Sequence, residues 1–212
     1  MRGLLITLEG VEGSGKSTHT QLLADWLRAR GRQVVATSEP DGTALGLAIR
    51  ALFEREGPAP SPLAQTFLFM AARQQHVAHV IRPALAEGAV VISDRYADAT
   101  LAYQGFGGGM DLETIRDLNA LATGGVMPDL TLLLDLDPAD GIRRISDRAL
   151  DAFEKMDLAF HRHVREGYLE IARAEKGRFV VLDAAQPKDS LHAASVRAVQ
   201  ELLDRREAPR GA

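Results

Sequence analysis

The chain has 212 residues, 46% hydrophobic and 25% charged, enough for one sizeable core and a single domain over residues 1–212. A net charge of −4 excludes a protein that binds by coating nucleic acid, and the lack of cysteine excludes disulfides, thiolate nucleophiles and Cys-ligated zinc. With no signal-peptide pattern and no run approaching about 18 apolar residues, the expectation is a soluble cytoplasmic protein with no membrane or nucleic-acid partner.

Strand and helix signals alternate along the chain. Residues 4–8 form a short apolar run interrupted only by Thr7, as a central strand buried on both faces would. Leu22, Leu23, Trp26 and Leu27 then recur at helical spacing, and Gly31 closes that helix. Residues 33–37 read as a second strand. Ser61 and Pro62 look like a cap and a first-turn proline, opening a long helix through about residue 85, with Pro83 set to kink or end it. Residues 90–93 are a further apolar strand ending at Asp94-Arg95-Tyr96. The glycine-rich stretch 105–109 reads as a loop between two helical stretches. Residues 130–136 are the most hydrophobic strand, after which Asp137 caps a helix with Pro138 in its first turn. A strand at 179–182, a helix at 190–203 and a polar, frayed tail from Arg205 complete the pattern. Together these elements predict an α/β fold: a parallel sheet of about five strands flanked by helices on both faces.

Between the first strand and the first helix lies Gly10-Val11-Glu12-Gly13-Ser14-Gly15-Lys16-Ser17-Thr18, which fits the phosphate-loop pattern in full. The glycines let successive backbone N–H groups turn inward on phosphate oxygens, and the helix start adds its positive end. Lys16 would reach the β- and γ-phosphates and Ser17 would ligate Mg²⁺. Lys16 stands in a loop in this reading, contributing charge and no packing. Only four of the 25 basic residues are lysines, so Lys16 is conspicuous. Asp94, at the end of a buried strand, is the candidate for orienting Mg²⁺ through water; the bland alternative is a strand-end cap. The Asn-Lys-x-Asp segment of switch-type GTPases is absent.

These features lie within a wider resemblance. The loop from Glu9 to Thr18, the stretch from Val91 through Asp94-Arg95-Tyr96 and Tyr103-Gln104 to Gly105, Glu39-Pro40, Phe69 to Arg73, Pro128-Asp129-Leu130 and Arg165 to Leu169 together resemble the bacterial thymidylate kinase family, in order and across essentially the whole chain. The resemblance implies a P-loop kinase fold with a short arginine-containing lid at about 141–155, ATP and dTMP as substrates, Mg²⁺, and a homodimer. It implies that Phe69 stacks on thymine, that Arg73 bonds the base's carbonyl edge, and that Thr100 and Gln104 help fix the pyrimidine. Glu39 joins the dTMP site, Arg50 and Arg95 clamp the monophosphate, and Tyr103 lies beneath the sugar. From the residues alone, Phe69 could equally be core, and Arg50 and Arg73 solvated helix charges. For the dimer, the long helix offers Leu63, Phe67, Met70, Ala71, Val77, Val80 and Ile81.

The chain also departs from the family's pattern. Ser38 stands where an arginine is usual, and Asp41 where a glycine is usual. With Gly13 in the phosphate loop, the catalytic cations expected beside Lys16 and Arg95 must come from the lid, from Arg148 first, then Arg144, with Arg143 a solvated charge. His161 and His163 face different ways on a helix, and His76 and His79 are expected at the surface, so neither pair suggests a metal. The expected reaction is phosphorylation of dTMP to dTDP by ATP. The alternatives are a nucleotide-binding protein with reduced or lost turnover, and a kinase of another monophosphate.

Overall fold

Five parallel strands, in the order β2-β3-β1-β4-β5, form the sheet. They are β1 (Leu4–Glu9), β2 (Val34–Ser38), β3 (Val90–Asp94), β4 (Leu130–Asp135) and β5 (Phe179–Asp183). The computed structural model describes residues 3–55, 60–147 and 153–208. The strands fall where the sequence places them, and four run one residue further at their carboxyl ends, through Glu9, Ser38, Asp94 and Asp183. Those four are polar, so hydrophobicity stops short of them while the backbone ladder continues.

Helices α1 (Lys16–Arg28), α2 (Ala44–Glu54), α3 (Pro62–His76), α4 (Arg82–Ala86), α5 (Ala97–Thr100), α6 (Leu112–Thr123), α7 (Pro138–Ile145), α8 (Leu158–Ala174) and α9 (Lys188–Glu207) connect and cover the strands. β1 and β3 are buried along their whole length, as parallel strands covered on both faces must be. Leu4, Ile6 and Leu8 pack into a large core with residues of α1, α8 and α9. Leu5 and Val91 point the other way, into a second cluster with Val77, Ile81 and Tyr96. Between the clusters the hydroxyls of Thr7 and Thr131 bond each other at 2.9 Å, which satisfies the one polar side chain inside the β1 run.

Local chemistry explains the helix ends. Ser61 accepts from Ala64 N–H and Pro62 opens α3, as expected; Asp137 likewise accepts from Ala139 N–H ahead of Pro138. The long helix neither stops nor breaks at Pro83. Instead Val77–Ile81 widens into a π-helical turn, with Arg82 N–H bonded to Val77 O, and α4 carries Pro83 in its first turn. A proline lacks the N–H and crowds the carbonyl four residues back, and a widened turn ahead of it relieves both defects.

Three expectations need correction. The stretch 105–109 is not a loop throughout: Leu101–Gly107 continues α5 as a π-helical segment, and only then does the chain leave the helix. That segment lies tightly on α8, where a Cβ on Gly107 would crowd Phe160 and Val164, so these glycines serve close packing as well as turning. The tail does not fray at Arg205, because α9 runs to Glu207, with Arg206 paired to Asp129 and Glu207 to Arg32. Finally, the long helix exposes less apolar surface than its sequence suggests. Met70, Val77 and Ile81 are buried, leaving Leu63 and Phe67 as its large exposed apolar side chains.

Strand order places the site. β1 and β3 are neighbours, and the chain leaves β1 toward β2 on one side of the sheet and β3 toward β4 on the other, which opens a crevice at the carboxyl edge. Register aligns Leu8 and Ser38 with Asp94 at that edge. No helix among the described residues is long and apolar enough to cross a membrane.

Candidate active site

The loop from Gly10 to Gly15 begins at this crevice. Gly10, Gly13 and Gly15 have φ of 143°, 70° and 96°, which side-chain-bearing residues adopt only with strain. Lys16 is the first residue of α1 and is buried, not a loop residue free of packing as expected. Its Nζ donates to Gly10 O at 3.0 Å and Val11 O at 2.8 Å, so it braces the loop as well as charging it. Burial, together with the nearby Arg95, draws the Lys16 ammonium down to about 8. Ser17 Oγ donates to Asp94 Oδ2 at 2.5 Å.

Two cavities meet here. The larger is lined by Gly13, Gly15, Lys16, Ser17, Thr18, Asp94 and Arg144. The smaller is lined by all eight residues expected at the monophosphate: Glu39, Arg50, Phe69, Arg73, Arg95, Thr100, Tyr103 and Gln104. Glu12, Glu39, Arg50 and Arg95 line both. Gly10, Val11 and Ser14 shape the loop from behind its surface; Ser14 Oγ is buried without a hydrogen-bond partner.

Glu12 and Arg95 form the junction. Arg95 takes a left-handed φ of 70°, and its Nη2 donates to Glu12 Oε1 at 2.7 Å. Tyr103 donates its hydroxyl to Glu12 Oε2 at 2.5 Å. Burial opposes a charge on Glu12, but Arg95, Lys16 and that hydroxyl outweigh it and hold the carboxyl down at about 2. The buried His161 completes the cluster, with Nδ1 3.7 Å from Glu12 Oε2.

At the far end of the smaller cavity, Phe69 stacks on Phe53 with centroids 5.1 Å apart, and Phe153 packs against both. Arg73 is almost fully buried, and each nitrogen of its guanidinium meets a protein acceptor. Nε and Nη2 meet Glu39 at 2.9 and 2.8 Å, Nη2 also donates to Tyr96 O, and Nη1 donates to Thr100 Oγ1 and Asn119 Oδ1. A donation from Arg73 to a ligand would exchange one of these bonds.

Sequence reasoning missed Phe53, Phe153, Asn119 and His76. His76 is not at the surface: it is fully buried, Nε2 lies 2.7 Å from Thr37 Oγ1, and Nδ1 lies 3.2 Å from Glu39 Oε1. Its i, i+3 partner His79 is exposed. The only signal for His76 was its place one turn after Arg73, which puts both on the face toward Glu39.

Of the expected lid, the first part is helix. Gly141–Ile145 belong to α7, and Arg144 on it bridges Gly13 O at 3.3 Å and Ala184 O at 3.1 Å. Arg143 is 77% exposed and pairs with Asp140 on the same helix. Arg148, the first choice for the lid cation, lies outside the described residues.

A phosphate loop joined to an aromatic-floored pocket across shared Arg and Glu side chains suits transfer of a phosphoryl group between two bound nucleotides. The family model described as thymidylate kinase matches residues 8–194. Thymidylate kinase of Deinococcus radiodurans is 49% identical over 201 residues, 94% of this chain and 98% of its own. That of Desulfovibrio desulfuricans is 47% identical over 213 residues, 96% and 98% of the two chains. A crystal structure of thymidylate kinase from Ehrlichia chaffeensis superposes with a TM-score of 0.78 at 32% identity, covering 94% of this chain and 99% of that one. Loop, junction and pocket thus stand in a chain whose relatives match it nearly end to end, and it belongs to the thymidylate kinase family.

Proposed function

We propose that this enzyme transfers the γ-phosphoryl group of ATP to dTMP, giving dTDP and ADP. The observation that carries the reading is the shared wall of the two cavities, Glu12, Glu39, Arg50 and Arg95, which would bring a donor on the phosphate loop and an acceptor in the aromatic pocket to one point. The acceptor is itself a phosphate oxygen, so no side-chain nucleophile is required. Catalysis is then positioning and charge neutralisation by the loop amides, Lys16, Arg95 and lid arginine. Phe69 supplies a flat apolar face for the base, and Tyr103, fixed by Glu12, closes the pocket beneath the sugar.

The Ser17 hydroxyl and Asp94 carboxylate, already in contact beside Lys16, form the all-oxygen donor set that suits a hydrated Mg²⁺. When bound with ATP, that ion would offset negative charge on the β- and γ-phosphates. We further take the chain as one domain acting in the cytoplasm as a homodimer. The dimer reading is supported by Leu63, 50% exposed, and Phe67, 54% exposed, on α3, with Leu47, 56% exposed, on the adjacent α2.

Coupled turnover with a monophosphate panel tests the function. dTMP should be preferred, and dUMP, lacking one methyl, should be weakened by roughly 10- to 200-fold. UMP and AMP should be poor acceptors. Equal turnover of UMP or AMP would remove the thymidylate assignment, and a monomer mass by light scattering would remove the dimer.

A further inference from the structure

Asp41 places a carboxylate inside the phosphate-side cavity. Its Oδ1 accepts from Arg50 Nε at 2.5 Å, and the two side chains are only 30% and 34% exposed. The turn that carries Asp41 is closed by Gly42 N–H donating to Ser38 O at 2.8 Å, so the carboxylate is in place before any ligand arrives. Arg50 lines both cavities, which makes it one of the cations that an anion at their junction would meet. The neighbouring strand end adds no compensating charge, since Ser38 lines the same cavity.

From this arrangement we propose that Asp41 is a built-in competitor for the acceptor phosphate. It engages Arg50 in the resting enzyme, weakens binding of the monophosphate relative to the nucleoside, and so sets how much substrate affinity comes from the phosphate. Asp41 acts by occupying Arg50 and by its own charge, and it takes no part in the transfer itself. The inference rests on the dTMP function proposed above.

Two effects oppose each other. Asp41 holds Arg50 in one orientation, which would favour binding, and it repels the incoming phosphate, which would oppose it. Ordering one partly exposed side chain is worth a few-fold at most, whereas a like charge set beside a dianion costs more. Repulsion therefore decides the sign.

Calorimetric titration of dTMP and of thymidine into wild type, Asp41→Asn and Asp41→Gly tests this. Asp41→Asn should bind dTMP on the order of tenfold more tightly and thymidine about as wild type does. Asp41→Gly, suited to a turn, should show the same change and stands in if the asparagine variant melts early. Unchanged or weaker dTMP binding, or a parallel change for both ligands, overturns the role of Asp41. Wild-type protein that binds neither ligand overturns the dTMP function as well, a result distinct from an unchanged ratio in a protein that binds both.

Discussion

Gly13 of the phosphate loop and Gly141 of α7 touch backbone to backbone. A Cβ built on Gly13 would run into Gly141 O, and one built on Gly141 would run into Glu12 O. The absence of a side chain at position 13 is therefore a packing requirement. Where an arginine in the loop could have supplied charge, α7 instead sits against the loop and brings Arg144 to it. Gly141→Ala should push α7 off the loop, raising the KM for ATP by roughly tenfold or more and lowering stability by about 1–3 kcal/mol. Wild-type ATP kinetics in a folded Gly141→Ala protein would show that this contact does not shape the donor site.

Arg144 and Arg143 are neighbours with opposite surroundings. Arg144 spans two backbone carbonyls, one of them in the phosphate loop, while Arg143 is exposed and paired within its own helix. Arg144→Ala should lower kcat by about 10²–10³ with little change in dTMP affinity, and Arg143→Ala should lie within a few-fold of wild type. Steady-state kinetics on both variants checks the contrast. Equal small losses would mean that the neutralising cation comes from elsewhere in the lid.

Lys16 braces the loop carbonyls, and in the proposed function it also meets phosphate. Lys16→Met should reduce kcat by about 10²–10³, or 3–4 kcal/mol, in a protein that still folds. Its pKa of about 8 in the free enzyme adds a pH signature. The ammonium is the useful form, so kcat/KM for ATP should decline as pH rises through about 8. Bound phosphates favour the charged form, so the decline in kcat should lie at higher pH. A flat kcat/KM profile up to pH 9.5 would contradict the role.

The parts of this site that were legible in the sequence are contiguous ones. The phosphate loop is one segment between a strand and a helix, and Asp94 ends a run of apolar residues. Contacts that depend on how distant segments meet were not legible. Asn119 reaches Arg73 across 46 residues, and Thr37 reaches His76 across 39. Nothing local distinguishes Asn119 from a solvated polar residue on a helix, or Thr37 from one on a half-exposed strand. The stretch 105–109 misled for the opposite reason: its glycines signal a loop, but packing of Gly105 against α6 and of Gly107 against α8 holds them in a helix.

Glu9 makes the stability of the fold depend on pH. It ends β1 just before the phosphate loop, fully buried, with Oε1 accepting Tyr96 N–H at 2.7 Å and Oε2 accepting the Tyr168 hydroxyl at 2.8 Å. Burial first, and Asp98 second, raise its carboxyl from 4.5 to about 8. The folded protein therefore keeps a proton that the unfolded chain has already lost between those values. The associated stability is complete below about 4.5 and is lost as pH rises toward 8. Glu9→Gln cannot titrate, yet its amide can accept from Tyr96 and donate to the Tyr168 oxygen. The variant should thus hold its stability across pH 5–8 and gain on the order of 4 kcal/mol over wild type at pH 8. Glu12, held at about 2, titrates below this window. His19, whose pKa is lowered chiefly by burial, is common to both proteins, so their difference isolates Glu9. Urea denaturation at several pH values makes the comparison. Parallel stability curves for the two proteins would mean that Glu9 stays ionised in the fold, with its two hydrogen bonds and Arg95 offsetting the burial.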